Sequence, residues 1–140
     1  MSKVAVVYWS GTGNTQTMAE AVRDGAKEAG LDCNLLEISD FGADKMNEYS
    51  AIAFGCPAMG VEELEEAEFL PVYEACEAKF GGKRIGLFGS YGWGDGEWMR
   101  TWETNCQNAG AIMVADPVIC ADAPDADAVE QCRKLGEALA

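Results

Sequence analysis

Histidine is absent from all 140 residues, and with it go the commonest general base and every Ser–His or Cys–His nucleophilic arrangement. Cations are scarce as well, with 10 Lys and Arg against 24 Asp and Glu and a net charge of -14. Binding a phosphodiester backbone needs clustered cations, so no nucleic-acid partner is expected. Cysteine occurs at Cys33, Cys56, Cys76, Cys106, Cys120 and Cys132 but never as C-x-x-C. No zinc, iron–sulfur or other metal site is therefore expected, and the thiols read as reduced, mostly buried small hydrophobes. The longest N-terminal apolar run, Val4 to Trp9, is too short for a signal-peptide core or a bilayer crossing. The expected location is the cytoplasm, away from membranes, and whatever chemistry occurs is expected to belong to a cofactor.

What is present points to one domain over residues 1–140, since a chain of this length buries enough surface for a single core. Its charge is uneven. No Lys or Arg lies between Lys45 and Lys79, whereas Glu62, Glu63, Glu65, Glu66, Glu68, Glu74 and Glu77 all fall inside that gap. Such a field favours a basic protein partner; the plainer alternative is a solvated face that aids solubility.

Apolar runs alternate with helical patterns. Val4 to Trp9, Leu35 to Ile38, Ala51 to Cys56, Ile85 to Gly89 and Ile112 to Val118 have strand length and lack a helical stripe. Met18, Val22, Ala26 and Ala29 share one helical face; Met99, Trp102, Cys106 and Ala109 share a second; Val129, Cys132, Leu135 and Leu139 share a third. Pro71 is expected to open the helix bearing Val72, Tyr73 and Cys76. Between the second and third runs, Asp44 to Tyr49 allows only a turn or two. This alternation predicts an α/β fold with an open sheet of five parallel strands and helices on both faces. Ligands in such folds bind outside the carboxyl ends of the strands, which makes Ser10 to Thr15, Pro57 to Glu66 and Ser90 to Glu97 the segments to read for function.

Ser10-Gly11-Thr12-Gly13-Asn14-Thr15 joins a strand to a helix, so its backbone N–H groups and the helix N-terminus face whatever occupies the loop. Hydroxyls and an amide add donors, but no Lys or Arg occurs between Val4 and Val22. A monophosphate held by neutral donors fits; a triphosphate would call for the P-loop lysine, and G-x-x-x-x-G-K is absent. An ordinary turn with a Thr or Asn cap is the plain alternative. A dinucleotide site is disfavoured by Gln16, which stands where the third glycine of G-x-G-x-x-G belongs. A phospho-accepting receiver domain is disfavoured by Phe54-Gly55-Cys56, which ends the third strand without a carboxylate.

Together, Tyr8-Trp9-Ser10-Gly11-Thr12-Gly13-Asn14-Thr15, Gly55-Cys56-Pro57-Ala58-Met59-Gly60 and Leu87-Phe88-Gly89-Ser90-Tyr91-Gly92-Trp93-Gly94-Asp95-Gly96 closely resemble the short-chain flavodoxins, in the same order and over essentially the whole chain. The resemblance implies the flavodoxin-like strand order 2-1-3-4-5 and a bound FMN. By position it implies that Ser10, Thr12, Asn14 and Thr15, with the backbone of Gly11 and Gly13, hold the phosphate. It further implies that Pro57, Ala58, Met59, Gly60, Val61 and Glu62 and, opposite them, Ser90, Tyr91, Gly92, Trp93, Gly94 and Asp95 enclose the isoalloxazine ring. Trp93 is the implied outer stacking residue and Met59 the inner contact; Glu62 is the implied acceptor for flavin N3–H, and Gly92 a backbone donor to the pyrimidine oxygen. Pro57 departs from relatives that carry Ser there. Val61 stands where many relatives have Asp, Asn, Ser or Gly, so the turn after Gly60 is expected to resist rotation. Trp98 and Trp102 share one helical face and read as packing.

The implied function is low-potential one-electron transfer by bound FMN between redox proteins, without substrate turnover. Basic redox proteins are expected to dock on the acidic flavin face of a monomer. An FMN-dependent reductase on the same fold and a non-catalytic nucleotide or phosphate sensor are the rival readings.

Overall fold

The computed structural model describes residues 3–11, 13–59, 64–92, 94 and 96–140. Strands β1 (Lys3–Tyr8), β2 (Asp32–Glu37), β3 (Ala51–Gly55), β4 (Arg84–Tyr91), β5 (Ile112–Met113) and β6 (Val118–Ala121) alternate with helices α1 (Asn14–Glu28), α2 (Phe69–Glu77), α3 (Glu97–Asn108) and α4 (Ala126–Ala138). All strand pairs are parallel, in the order β2-β1-β3-β4-β5, with β6 also on β4. Short 3-10 turns, Ile38–Asp40 and Ala43–Glu48, replace a full helix between β2 and β3, as the sparse apolar pattern there predicts.

Period-two alternation divides the central strands between two cores. Val4 and Val6 join Ala51, Ala53 and Phe88 beneath α1 and α4, against Met18, Val22, Ala26, Cys132, Leu135 and Leu139. Ala5 and Val7 join Ile52, Phe54, Ile85 and Leu87 beneath α2 and α3, against Phe69, Tyr73, Trp98 and Trp102. Phe54 is ringed by Phe41, Phe69, Tyr73 and Phe80, with centroids 5.4 to 6.5 Å away. Ala29 and Ala109, expected on helical stripes, lie at the helix ends, and Ala29 is exposed.

Two local expectations change. The run Ile112 to Val118 is not one strand: β5 meets the start of β4 at Arg84 and Ile85, and β6 meets its end from Phe88 to Tyr91. Pro117, which lacks an N–H and restricts Asp116, stands at the break. Pro71 does not open α2, which begins at Phe69; it occupies the first turn, where a missing N–H costs no intrahelical bond. All six cysteines are free thiols, five of them buried, and burial pushes Cys33 and Cys76 to about 11 and Cys56, Cys106 and Cys132 to about 12.

Candidate functional site

The carboxyl ends of β1, β3 and β4 meet at one edge of the molecule. The Trp9 N–H donates to Gly55 O at 3.0 Å, which carries β1 pairing one residue past its end. The chain then turns through Ser10 and Gly11 into α1. Gly13 stands at the N-cap with φ 98°, in the left-handed region that glycine enters without strain. Its N–H donates to Ser10 Oγ at 3.0 Å, so the serine braces the loop from within. No side chain among the described residues caps α1, and its first turn carries no acidic residue.

The Thr or Asn cap of the plain alternative is thus not made among the described residues. The first-turn N–H groups have no intrahelical acceptor and sit at the positive pole of a 15-residue helix. Thr15 is buried, and its Oγ1 lies 3.3 Å from Ser90 Oγ on β4, while the Thr17 hydroxyl turns back to donate to Gly13 O. A small anion fits such an end, and a phosphate monoester suits a loop without a cation.

The second loop continues the β3 pairing before it leaves the sheet: Cys56 N–H donates to Phe88 O at 3.2 Å and Ala58 N–H to Ser90 O at 3.0 Å. Strand alternation turns the intervening position, Pro57, toward β1, so the donor it lacks is missing on the first-loop side. Between the loops lies a groove of about 240 Å³, walled by the predicted residues Gly11, Asn14, Pro57, Ala58, Met59, Ser90, Tyr91 and Gly92. Met59 is one of two exposed large hydrophobics among the described residues, at 38%. Ser10, Gly13, Thr15 and Gly94 belong to the same segments without lining the groove, and Gly94 has φ 87°. Thr12, Gly60, Val61, Glu62, Trp93 and Asp95, also expected at this site, lie outside the described residues.

Two groove residues were missed in the sequence. Trp9, directly after β1, forms a wall and donates from Nε1 to Glu68 Oε1 at 3.1 Å; its place inside the first motif was the available signal. Asp122 follows β6 and had none. It reaches the groove because β6 pairs with the end of β4, where Asp122 N–H donates to Tyr91 O at 2.8 Å and the residue takes φ 56°.

The loop entering α2 is clasped by Glu65. Its carboxylate accepts from the N–H groups of Ala67, Glu68 and Phe69 at 2.9, 2.7 and 2.8 Å, and its own N–H donates to Cys56 Sγ at 3.4 Å. Burial pushes this carboxyl up, but the three backbone donors outweigh it and hold Glu65 below its ordinary value. Trp98 and Trp102 are buried as expected; Trp98 Nε1 donates to Cys56 O at 3.4 Å and its ring meets Tyr91 at 5.5 Å between centroids. Among the described residues no group of three His, Cys, Asp or Glu side chains could hold a metal ion, and no helix is long and apolar enough to cross a membrane.

Comparison with known proteins agrees with this fold. The sequence model of the family described as Flavodoxin matches residues 6–136. The chain is 44% identical to the flavodoxin of Clostridium beijerinckii over 96% of its length and 97% of that protein's. It is 42% identical to that of Megasphaera elsdenii over 98% of each. The solution structure of two-electron reduced Megasphaera elsdenii flavodoxin superposes with a TM-score of 0.89, covering 97% of both chains at 42% identity. A flavodoxin from the domain Archaea superposes at 0.83, with 29% identity over 96% of this chain and 94% of that one.

Proposed function

Because this chain belongs to the flavodoxin family, whose members carry electrons on a bound flavin, we propose that it holds FMN and moves electrons singly, at low potential, between redox proteins. The observation that carries this reading is the uncapped N-terminus of α1 opening beside a groove with an exposed methionine. One end suits a phosphate and the other a flat apolar ring.

When bound, the isoalloxazine ring supplies the one-electron chemistry. The chain binds and orients it. Ser10, Thr12, Asn14 and Thr15, with the N–H groups of Gly11 and Gly13, hold the phosphate by neutral donors and the helix dipole. Met59 and Trp93 cover the two faces of the ring with soft and aromatic surface, which excludes water. Glu62 would accept from N3–H, Gly92 would donate to the pyrimidine oxygen, and the Gly60 carbonyl would serve as an acceptor toward N5. Asp122 on the groove wall and Glu65, Glu66 and Glu68 after the second loop give the site negative charge, which would disfavour a further electron and so lower the potential. The same field recruits basic redox partners to a monomer in the cytoplasm.

Titrating the apoprotein with FMN, FAD and riboflavin tests this reading. Tight binding and quenched fluorescence are expected with FMN, with much weaker binding of riboflavin. Equal affinity for FMN and riboflavin overturns the phosphate assignment, and NADPH oxidation without a partner protein would make the chain a reductase.

A further inference from the structure

Trp9 is fastened at both ends. Its backbone N–H donates to Gly55 O at 3.0 Å, on the strand that leads to the second loop, and its indole Nε1–H donates to Glu68 Oε1 at 3.1 Å, 59 residues away. Between these points the side chain packs against the core beneath α2 and α3 and forms part of the groove wall. The outer edge of the indole lies over Gly11: a Cβ built on that glycine would stand 3.1 Å from Cη2 and 3.3 Å from Cζ3. A bare backbone at Gly11 lets the ring lie that close, and a side chain there would crowd it.

Glu68 is itself held. Its N–H donates to Glu65 Oε1 at 2.7 Å, and the Glu65 N–H donates to Cys56 Sγ at 3.4 Å, directly after β3. The carbonyl of Cys56 in turn accepts from Trp98 Nε1 at 3.4 Å. The carboxylate that receives the indole therefore stands on a turn tied back to the sheet. An exposed hydrogen bond adds little to stability by itself. What this one fixes is the orientation of a large ring. An indole free to swing loses rotamer entropy when a ligand orders it, whereas one already held presents its apolar surface without that loss.

We propose that Trp9 is a further cofactor-binding residue, a wall held ready for the ring side of the flavin, and that Glu68 is the residue that positions it. The lining decides which part of the cofactor it takes. Trp9 stands in the groove with Pro57, Ala58, Met59 and Tyr91, whereas the hydroxyls of Ser10 and Thr15 lie outside that lining. Here it is the acceptor oxygen of Glu68 that acts, apart from the charge the residue adds to the acidic field. The proposal rests on the electron-carrier reading.

The test titrates the whole chain, freed of flavin, with riboflavin and with FMN. Trp9→Ala should weaken both by the same factor, about tenfold, because the contact is with the part the two ligands share. Trp9→Phe, which keeps a ring without the donor, and Glu68→Ala, which removes the acceptor, should each weaken both about threefold. The two combined should weaken them no further than either alone, since they break one bond. Glu68→Gln retains an acceptor oxygen and should restore most of the affinity lost in Glu68→Ala. In the FMN-loaded protein labelled with 15N, the Trp9 indole N–H signal should move in Glu68→Ala and much less in Glu68→Gln. Unchanged riboflavin binding in Trp9→Ala, weakening confined to FMN, additive losses in the combined variant, or Glu68→Gln as weak as Glu68→Ala overturns the proposal. A parent chain that binds neither flavin overturns the carrier reading and the wall with it.

Discussion

Thr15 Oγ1 and Ser90 Oγ lie 3.3 Å apart, although 75 residues separate them. One hydroxyl belongs to the first turn of α1 and the other to the end of β4, so the pair ties the first loop, where the phosphate is proposed to sit, to the strand that carries the third loop. A hydroxyl both donates and accepts, which lets Thr15 accept from Ser90 and still direct its proton into the loop.

Removing that hydroxyl should separate two ligands. Thr15→Val is expected to weaken FMN binding by about 1.5 to 3 kcal/mol, the range for a hydrogen bond to a charged group, and to leave riboflavin nearly unaffected. Ser90→Ala should weaken FMN less, because it removes the brace and leaves the threonine. Parallel titrations of the two apoproteins check the order, and equal losses for FMN and riboflavin would refute it.

Glu65 should make stability depend on pH. Its folded carboxyl is held below the ordinary value, so its contribution is complete above the unfolded carboxyl pKa of about 4.3 and is lost as pH falls through the lower folded value. Glu65→Gln keeps the shape but not the charge that faces three N–H donors, and should cost on the order of 1.5 to 3 kcal/mol at pH 7. Denaturant midpoints at pH 7 and pH 3 should differ less for the variant than for the parent. An undiminished difference would show that other carboxylates govern acid unfolding.

The contact between α1 and α4 depends on two missing side chains. A Cβ on Gly25 would stand 1.9 Å from Arg133 O, and one on Gly136 would stand 2.0 Å from Val22 O, backbone atoms that cannot yield cheaply. Each Gly→Ala change should cost about 3 kcal/mol in overpacking against about 1 kcal/mol gained in helix propensity. A thermal midpoint lower by roughly 5 to 10 °C is expected for each variant. An unchanged midpoint would mean that the helices separate without penalty.

Asp122 adds a carboxylate to the groove and, with the proposed flavin bound there, should lower the potential of the second electron. Two unit charges roughly 10 Å apart in water-like dielectric interact by about 0.4 kcal/mol, which for a one-electron couple is about 20 mV. Asp122→Asn keeps a residue that tolerates φ 56° and removes the charge. Its more negative potential should rise by about 20 mV at low salt and by less at high salt. A shift that ignores salt would point to a direct contact with the cofactor.

The sequence by itself determined the class of fold and where its strands hand over to the loops at their carboxyl ends. Central parallel strands are covered on both faces, so Val4 to Trp9 and Ala51 to Cys56 had to be continuous apolar runs, and the loop proposed to take a phosphate without cations shows itself by its hydroxyls and glycines. These are relations between near neighbours, which is where periodicity and composition carry information. Only the tertiary structure decided that Asp122 joins the groove, that Thr15 meets Ser90, that β5 and β6 share β4, and that Trp9 reaches Glu68. The reason is that such meetings depend on strand order and on how helices settle across a sheet, and both arise from packing between residues far apart in the chain.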